Sequence, residues 1–384
     1  MDKIKNVVIV NDFDYIQGGA SKVAIDTANM LVDQYNVYFF SAVHNDNTTL
    51  DERVIRISTN QGEALKDKNR LRGIFNGLYN SKAKKELRKL LSTLDKNETI
   101  IHMHGWTKAL SSSVFDMAFK LNFKVVLTLH DYFTICPNGG LFNYKKNCVC
   151  TKKPMSLGCI FCNCDSRNYF FKIYRVIRQH IQNKTINKKL KHVIAISDFS
   201  EKIFKNNFKD VNMYRVYNPI EFAVEDKIKD YKKNEYFLYV GRVSKEKGTE
   251  VFCKAITKAN KKGIVVGDGP ELDRLKDEYK NIKFVGWKNT IEVKKYILEA
   301  KCLIFPSVWY ETMGMTVIEA QKCGLPVIVN KNTAASEFVK DDRFKYEKFE
   351  ELIEIINNFD EYDFDFYTYK NDYVKDLISV YKKI

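Results

Sequence analysis

The feature that most constrains the fold is a repeated alternation of short runs rich in Val and Ile with helical patterns. In the first half of the chain the runs are Val7–Val10, Val37–Phe40, Ile100–Met103, Val125–Leu129 and Val193–Ile196. In the second half they are Phe237–Val240, Ile264–Val266, Ile282–Val285, Leu303–Phe305 and Val327–Val329. Strands that alternate with helices favour parallel sheets covered by helices on both faces. The sequence therefore predicts two doubly wound α/β domains in tandem.

The length of the chain and one change in its composition predict the domain boundaries. A chain of 384 residues is longer than a single hydrophobic core usually supports. Residues 221–235 are rich in charge and lack strong periodicity, so we interpret them as a linker. We expect a first domain over residues 1–220, a second over residues 221–365, and a terminal helix over residues 366–384 that packs back towards the first domain.

The formal net charge of +15 predicts an anionic partner, which is a nucleotide, a nucleic acid or the face of a membrane. The charge is concentrated between Tyr144 and Lys191, where twelve Lys or Arg residues stand against one acid, Asp165. Apolar residues recur there at the spacing of an amphipathic helix: Phe170, Ile173, Tyr174, Ile177 and Ile181. Two interpretations stay open. The stripe packs on the core, or this face touches anionic lipid or a lipid-linked phosphate.

Neither a membrane span nor a signal peptide is indicated by the sequence. No apolar run approaches the roughly 20 residues that a spanning helix needs. The first residues, MDKIKNVVIVND, lead directly into a short strand and lack the apolar region of a signal peptide. We therefore expect a cytoplasmic protein that is peripherally associated with the inner face of the cell membrane through its basic segment.

Cysteines cluster in a basic insert at about residues 136–191. Six of the nine lie close together in sequence: Cys136, Cys148, Cys150, Cys159, Cys162 and Cys164. In a cytosolic chain such cysteines are thiols or metal ligands rather than disulfides. Zinc or an iron–sulfur cluster is one interpretation and a loop of reduced thiols is the other, because the spacing does not match a standard zinc ribbon. A bound metal would brace a loop beside His130 and take no part in a transfer reaction, so no catalytic metal is expected.

Glycines and cations follow several predicted strands at the edge where α/β sheets bind ligands. Gly18 and Gly19 precede a helix predicted to begin near Ser21, which is either a loop that contacts an anion or sugar, or an ordinary turn. Arg242 and Lys247 follow strand Phe237–Val240, and two cations at that edge suit a diphosphate. Two solvated surface charges are the alternative.

The stretch YETMGMTVIEA carries two carboxylates, Glu311 and Glu319, around a predicted helix start near Gly314. The N–H groups of Gly314, Met315 and Thr316 would then be free to hold a phosphate. Carboxylates on either side of it suit hydroxyl groups, one on a sugar and one on a ribose. This spacing predicts a nucleotide-sugar site, although a capping acid and an exposed acid would give the same pattern.

Together these segments resemble the retaining glycosyltransferases of family 4, which have the GT-B fold of two facing Rossmann-like domains. The resemblance is carried by YVGRVSKEKG, VVGDGPELDRL, IKFVGW and IFPSVWYETMGMTVIEAQKCGLPVIV. In the first half it is carried by GGASK, HMHG, TLHDYF and VYNPIEF. The resemblance therefore implies a GT-B glycosyltransferase with a terminal crossover helix.

The resemblance also implies roles for individual residues. Arg242 and Lys247 match the pair that binds the donor diphosphate, together with the backbone of Gly314, Met315 and Thr316. Glu311 matches the acid that holds a hydroxyl of the donor sugar, and Glu319 the acid that holds the ribose. His130 matches the active-site histidine, and Gly18 and Gly19 lie in the loop under the phosphates. The backbone at Gly286 and Trp287 is where such proteins hold the base.

The resemblance further implies retention of configuration and a donor that is a UDP-sugar in preference to a GDP-sugar. The implied acceptor is a saccharide or a polyprenyl-diphosphate-linked saccharide in the synthesis of O-antigen, capsule or exopolysaccharide. The chain departs from the family pattern at Thr312, where Gly is common, and at Ala334 and Ala335, where a Gly pair often precedes the acid Glu337. These departures lie behind the sugar pocket and leave the sugar open.

Three other classes of protein are weighed against this interpretation. A basic nucleic-acid-binding protein fits the charge and the aromatic content, but no recognised binding motif is present, and no nucleic-acid partner is expected. A metal-stabilised α/β protein without transferase activity would follow from the cysteines alone. A dinucleotide-dependent oxidoreductase requires G-x-G-x-x-G after the first strand, where this chain has GGA.

Overall fold

The computed structural model describes residues 4–208, 210–220, 222 and 227–384. Residues 221 and 223–226 of the predicted linker lie outside the described residues. The strands of the first half are Asn6–Val10 (β1), Asn36–Ser41 (β2), Ile55–Ser58 (β3), Thr99–Met103 (β4), Lys124–Thr128 (β5), Phe142–Asn143 (β6), Cys148–Val149 (β7), His192–Ala195 (β8) and Asn212–Arg215 (β9). Those of the second half are Tyr236–Val240 (β10), Lys262–Val266 (β11), Ile282–Phe284 (β12), Cys302–Phe305 (β13), Val327–Asn330 (β14) and Lys345–Tyr346 (β15).

The strands form two parallel sheets and one small antiparallel hairpin. The first sheet has the order β3-β2-β1-β4-β5-β8-β9, and the second has the order β12-β11-β10-β13-β14-β15. The hairpin pairs β6 with β7 inside the cysteine-rich insert. In each sheet the order reverses beside the first strand, and the crevice at that reversal is where open α/β sheets bind ligands.

Helices cover both sheets. In the first half they are Gly19–Leu31 (α1), Arg70–Leu78 (α2), Ser81–Leu91 (α3), Ser113–Lys120 (α4), Leu157–Ile160 (α5), Tyr169–Ile186 (α6) and Asp198–Lys205 (α7). In the remainder they are Thr249–Lys258 (α8), Leu272–Glu278 (α9), Thr290–Glu299 (α10), Met315–Lys322 (α11), Phe349–Asn357 (α12) and Tyr373–Tyr381 (α13). All five residues of the central strand β4 are buried, because helices cover a parallel sheet on both faces.

The last helix, α13, packs on the first sheet's side of the molecule. Tyr373 and Thr27 of α1 share a hydrogen bond of 2.6 Å between their hydroxyl groups. The Tyr381 hydroxyl lies 2.8 Å from Nδ1 of His102 on β4. Since Tyr381 is only 2% exposed, the end of the chain completes the core under the first sheet.

Helix α6 has an inverted distribution of side chains. Lys172, Gln179 and Gln182 are buried, whereas Phe170 is 83% exposed. Ile173 and Ile177 are also exposed. Of the two interpretations of this apolar stripe, packing on the core is therefore wrong for these three residues, because the polar side of the helix faces inward.

The buried polar side of α6 hydrogen-bonds the loop that follows β5. Gln182 accepts from the Trp106 indole at 3.0 Å and donates to the Phe133 carbonyl at 2.8 Å. Gln179 donates to the Thr134 carbonyl at 3.0 Å. A loop whose carbonyls face inward needs such donors, so the polar residues of α6 are what fix this loop.

Candidate active site

A buried carboxylate with three donors lies at the end of β13. Glu311 is 7% exposed, and its Oε2 accepts from Lys247 at 2.5 Å, from the Trp309 indole at 3.1 Å and from Ser307 at 3.3 Å. The Lys247 ammonium also lies 5.0 Å from the centre of the Trp309 ring. The structure thus brings together Lys247 and Glu311, which are far apart in sequence. Their ion pair holds Lys247 at the edge where the strands of the second sheet end.

Arg242 lies on the same loop as Lys247. Its side chain is exposed, while its backbone carbonyl accepts a hydrogen bond of 2.7 Å from the Tyr239 hydroxyl. Gly248, directly after Lys247, allows a close approach to the end of β13, because an added Cβ would fall 1.9 Å from the Pro306 carbonyl oxygen. The loop therefore lies against the end of β13, with the Arg242 side chain exposed and the Lys247 ammonium paired with Glu311.

Helix α11 begins at the predicted position. Gly314 is its N-cap with a φ of 85°, a left-handed conformation that favours glycine. Met315 and Thr316 are the first residues of the helix, so their N–H groups lack intrahelical partners. The positive end of the helix dipole there favours an anion.

The glycine loop of the first half lies against this helix start. A Cβ added to Gly19 would fall 3.0 Å from Cε of Met315. The loop is closed by Ser21, whose hydroxyl accepts from the N–H groups of Gln17 and Gly18 at 2.8 and 3.0 Å. The helix α1 begins at Gly19, two residues earlier than predicted, and the two predicted anion-binding segments face each other across the cleft.

Glu319 sits one turn inside α11. Burial raises the pKa of its carboxyl, and the charges of Lys22 and Lys322 oppose that effect. Lys22 belongs to α1, so the carboxylate also faces the first domain.

The segment predicted to hold the base follows β12. Gly286 has a φ of 73° and its carbonyl accepts a hydrogen bond from the Gly267 N–H at 2.9 Å, while the Trp287 side chain beside it is 71% exposed.

Three histidines stack at the end of the first sheet. The rings of His102 and His104 are 4.2 Å apart, and those of His104 and His130 are 5.1 Å apart. Nδ1 of His104 lies 2.9 Å from Nε2 of His130, so one of the two donates to the other. Burial lowers the pKa of His130 to about 4 and that of His102 to about 3, which makes both imidazoles neutral at neutral pH.

Hydrogen bonds join His130 directly to the second sheet's loop. The Thr312 hydroxyl donates to the His130 carbonyl at 2.9 Å, and the Ser197 hydroxyl donates to the Thr312 carbonyl at 2.6 Å. The carboxylate of Glu337 accepts from the N–H groups of Asp198 and Phe199, the first two residues of α7. These contacts hold the cleft in one arrangement, with Thr312 at its centre.

Several of these contacts were not predicted from the sequence. Trp309 and Ser307, which fix Glu311, were missed because nothing in their spacing marks them as partners of a carboxylate. His104 belongs to the motif HMHG, and its position at the end of a predicted strand is the signal that could have marked it as a partner of His130. Thr312 carries no such signal, since the sequence marks it only as a departure from a glycine.

The cysteine-rich insert surrounds a buried lysine. Lys172 is 0% exposed and its ammonium donates to Sγ of Cys159 at 3.6 Å. Cys136, Cys159 and Cys164 are all buried. Within the described ranges no group of three or more His, Cys, Asp or Glu residues is arranged to hold a metal ion. Among all the residues that the structure describes, no helix has the length and apolarity needed to cross a membrane.

The fold and the carboxyl-terminal half match known glycosyltransferases. Residues 222–359 match the family model described as glycosyl transferases group 1. The structure of Anabaena Alr3699/HepE in complex with UDP superposes with a TM-score of 0.61 at 17% identity, covering 93% of this chain and 90% of that one. This likeness shows the fold, and the predicted GT-B architecture is confirmed.

Sequence relatives point to the same class of protein. A 42.6 kDa protein of the cps region of Klebsiella pneumoniae is 24% identical over 85% of both chains. A 41.2 kDa protein of that region is 26% identical over 56% of this chain and 62% of its own length. The Escherichia coli UDP-Gal:alpha-D-GlcNAc-diphosphoundecaprenol alpha-1,3-galactosyltransferase is 28% identical over 31% of this chain and 34% of its own.

These matches define the class of the protein. Residues 222–359 are similar to glycosyl transferases group 1, and the prediction of an enzyme of the glycosyltransferase class is confirmed. Membership of family 4 in particular stays a prediction, as do the domain boundaries and the role of each site residue.

Proposed function

We propose that the protein is a retaining glycosyltransferase of the family 4 type that transfers a sugar from a UDP-sugar to a saccharide or lipid-linked saccharide. The observation that carries the proposal is the convergence of Lys247, Glu311, the start of α11 and the Gly19 loop on one cleft. Positive charge and free N–H groups at one point suit a diphosphate. The carboxylates of Glu311 and Glu319 on either side suit the hydroxyls of a sugar and a ribose.

The donor assignment to UDP is supported by two similar proteins. The Anabaena neighbour was crystallised with UDP, and the Escherichia coli relative is named for a UDP-galactose donor. In the present chain the exposed ring of Trp287 and the backbone of Gly286 offer a place for a flat base. A GDP-sugar is the alternative donor.

The chemistry follows from charge that develops on the leaving diphosphate. Arg242, Lys247 and the N–H groups of Met315 and Thr316 stabilise that charge, and such preorganised donors favour the transition state over the ground state. The bond from the anomeric carbon to the phosphate oxygen breaks, and the acceptor oxygen bonds to the same face of the sugar. The acceptor proton passes to the departing phosphate. This route needs no protein acid, in keeping with a neutral His130 that serves as a hydrogen-bonding group.

The acceptor is proposed to be a polyprenyl-diphosphate-linked saccharide in the synthesis of a surface polysaccharide, at the cytoplasmic face of the cell membrane. Support comes from the charge of the segment from Tyr144 to Lys191 and from the relatives. Two of those belong to a cps region, and one acts on a diphosphoundecaprenol-linked sugar.

Slow hydrolysis of the donor tests the proposal without knowledge of the acceptor. The purified protein is incubated in turn with UDP-glucose, UDP-galactose, UDP-N-acetylglucosamine and GDP-mannose, and release of free nucleoside diphosphate is measured. We expect release from one UDP-sugar, at least about tenfold slower in Lys247→Met, because that change removes one of the two cations proposed to stabilise the leaving diphosphate. Arg343→Ala, a change of an exposed arginine that pairs with Asp341, is the control and keeps the parent rate. No release from any donor, or equal release by Lys247→Met, contradicts the assignment.

A further inference from the structure

The first domain carries an apolar surface that the transferase site does not use. It is formed by α2 and α6 and is called here the α2–α6 surface. Its six side chains are between 42% and 83% exposed: Leu71, Ile74, Phe75, Phe170, Ile173 and Ile177. Apolar residues at helical spacing normally face a core, so six of them on two neighbouring helices mark a surface that is covered by something else.

The two helices are packed closely enough to make one surface. The Tyr174 hydroxyl donates to the Ile74 carbonyl at 3.4 Å. A Cβ added to Gly77 would fall 2.0 Å from the same hydroxyl, so only glycine lets α2 approach α6 this closely. In the cysteine-rich insert, Leu157 of α5 and Phe161 are also exposed, at 73% and 72%.

The orientation of α6 is fixed by its opposite side. Gln179 and Gln182 hydrogen-bond the loop after β5, and Arg178 donates to the Pro137 carbonyl at 3.1 Å. Turning the helix over would break these bonds and leave buried carbonyls without donors, which costs more than the exposure of the apolar row. The apolar row therefore stays outward and is available to a partner.

The charge around the surface indicates the class of partner. Nine of the twelve basic residues between Tyr144 and Lys191 are exposed: Lys145, Lys146, Lys152, Lys153, Arg167, Lys184, Lys188, Lys189 and Lys191. Asp165, the one acid of the segment, is fully buried and lies 3.2 Å from Arg175, so it does not offset them at the surface. A strongly basic segment that also carries the exposed Phe170, Ile173 and Ile177 suits an anionic lipid surface. A nucleic acid fits this surface less well, because four of its six side chains are aliphatic and offer no ring on which a base could stack.

We propose that the α2–α6 surface docks on an anionic lipid bilayer, with Phe75 and Phe170 among the side chains that enter the boundary between headgroups and acyl chains. Docking would bring the first domain to a lipid-linked acceptor. That purpose rests on the proposed function, whereas the docking itself does not. Because α6 also fixes the loop after His130, the docked surface and the transferase cleft share one helix.

Flotation of the full chain with lipid vesicles tests the proposal. The probes are vesicles of phosphatidylglycerol mixed with phosphatidylcholine and vesicles of phosphatidylcholine alone. We expect the parent to bind the anionic vesicles, and Phe75→Ser/Phe170→Ser to bind them at least about tenfold more weakly, since two apolar side chains no longer leave water. The matched control is Ile291→Ser, which removes a 73% exposed apolar side chain from α10 of the second domain and leaves binding unchanged.

Three results would overturn the proposal. The first is parent-like binding by the double variant, and the second is equal binding of the parent to both kinds of vesicle. The third is a parent that forms a dimer and binds no vesicles, together with a double variant that is a monomer. The last would make the α2–α6 surface an interface between copies of the chain. Titration of both variants with UDP separates the two proposals, because docking can fail while UDP still binds, and UDP binding can fail while docking persists.

Discussion

We expect Gly314→Ala to destabilise the second domain. With a φ of 85°, Gly314 holds a conformation that costs a residue with a Cβ about 1–2 kcal/mol. The added Cβ would also lie 2.8 Å from Cβ of Ala335, closer than side-chain carbons normally approach. Overlap of this kind adds about 1 kcal/mol, so the free energy of unfolding should fall by about 2–3 kcal/mol in all.

The cost of the backbone strain can be measured separately from the cost of the overlap, because the overlap involves the Cβ of Ala335 and the strain does not. Ala335→Gly removes the Cβ that an alanine at position 314 meets, so the double variant should recover the overlap of about 1 kcal/mol and none of the strain at φ. Urea unfolding of the parent, both single variants and the double variant measures this coupling. A Gly314→Ala chain as stable as the parent would refute the reasoning, since neither penalty would then exist.

The same change should weaken nucleotide binding. Gly314 is the N-cap of α11, so a shift of its backbone moves the N–H groups of Met315 and Thr316. We expect about tenfold weaker binding of UDP, comparable to the loss of one charge-assisted hydrogen bond. Calorimetric titration of the four chains measures it, and unchanged affinity in Gly314→Ala would mean that the start of α11 does not hold the phosphate.

Three other variants give independent checks. Lys172→Met should leave stability unchanged or raise it by about 1 kcal/mol in urea unfolding, because the buried ammonium is hydrogen-bonded to the Cys159 thiol and not to a carboxylate. A loss above about 2 kcal/mol would show that the charge is stabilising. Burial raises the pKa of Asp131 to about 6, so the folded state binds more protons than the unfolded state, and stability should fall as pH rises from about 4 to about 6. Asp131→Asn should lack that part of the slope, and identical pH profiles would contradict it. Lys247→Met leaves the Glu311 carboxylate buried without its ammonium, so the free energy of unfolding should fall by about 1–3 kcal/mol. Adding Glu311→Gln to the same chain should restore most of that loss. Equal losses in the single and double variants would refute the pairing.

The fold could be predicted where apolar runs coincide with buried strands. All ten predicted strands are present, since parallel strands covered on both faces are apolar throughout. Five of the described strands were missed: β3, β6, β7, β9 and β15. Strands β3 and β9 read IRIS and NMYR and none of their residues is fully buried, so they produce no apolar run. Strands β6, β7 and β15 have only two residues each.

The orientation of α6 could not be predicted from its periodicity. Phe170, Ile173 and Ile177 have the same spacing whether they face a core or solvent, and only the hydrogen bonds of Gln179 and Gln182 to a distant loop decide between the two. Exposure of the stripe therefore depends on tertiary contacts.

The site was predictable where it depends on local geometry. The start of α11 at Gly314 followed from one glycine before a helical pattern. The engagement of Glu311 by Lys247, Ser307 and Trp309 did not, because it requires two loops to meet across the second sheet. Contact of Thr312 with His130 likewise depends on how the two halves of the chain meet.

Calorimetric titration with UDP and with GDP tests the central claim most directly, which is that a nucleoside diphosphate binds where Arg242 and Glu319 flank the start of α11. The parent should bind UDP more tightly than GDP. Arg242→Ala and Glu319→Ala should each bind it at least about tenfold more weakly, for loss of one charge-assisted contact. Glu278→Ala, a change of an acid on α9, should bind as the parent does. Absence of binding by the parent, or unchanged affinity in both site variants, would contradict the account.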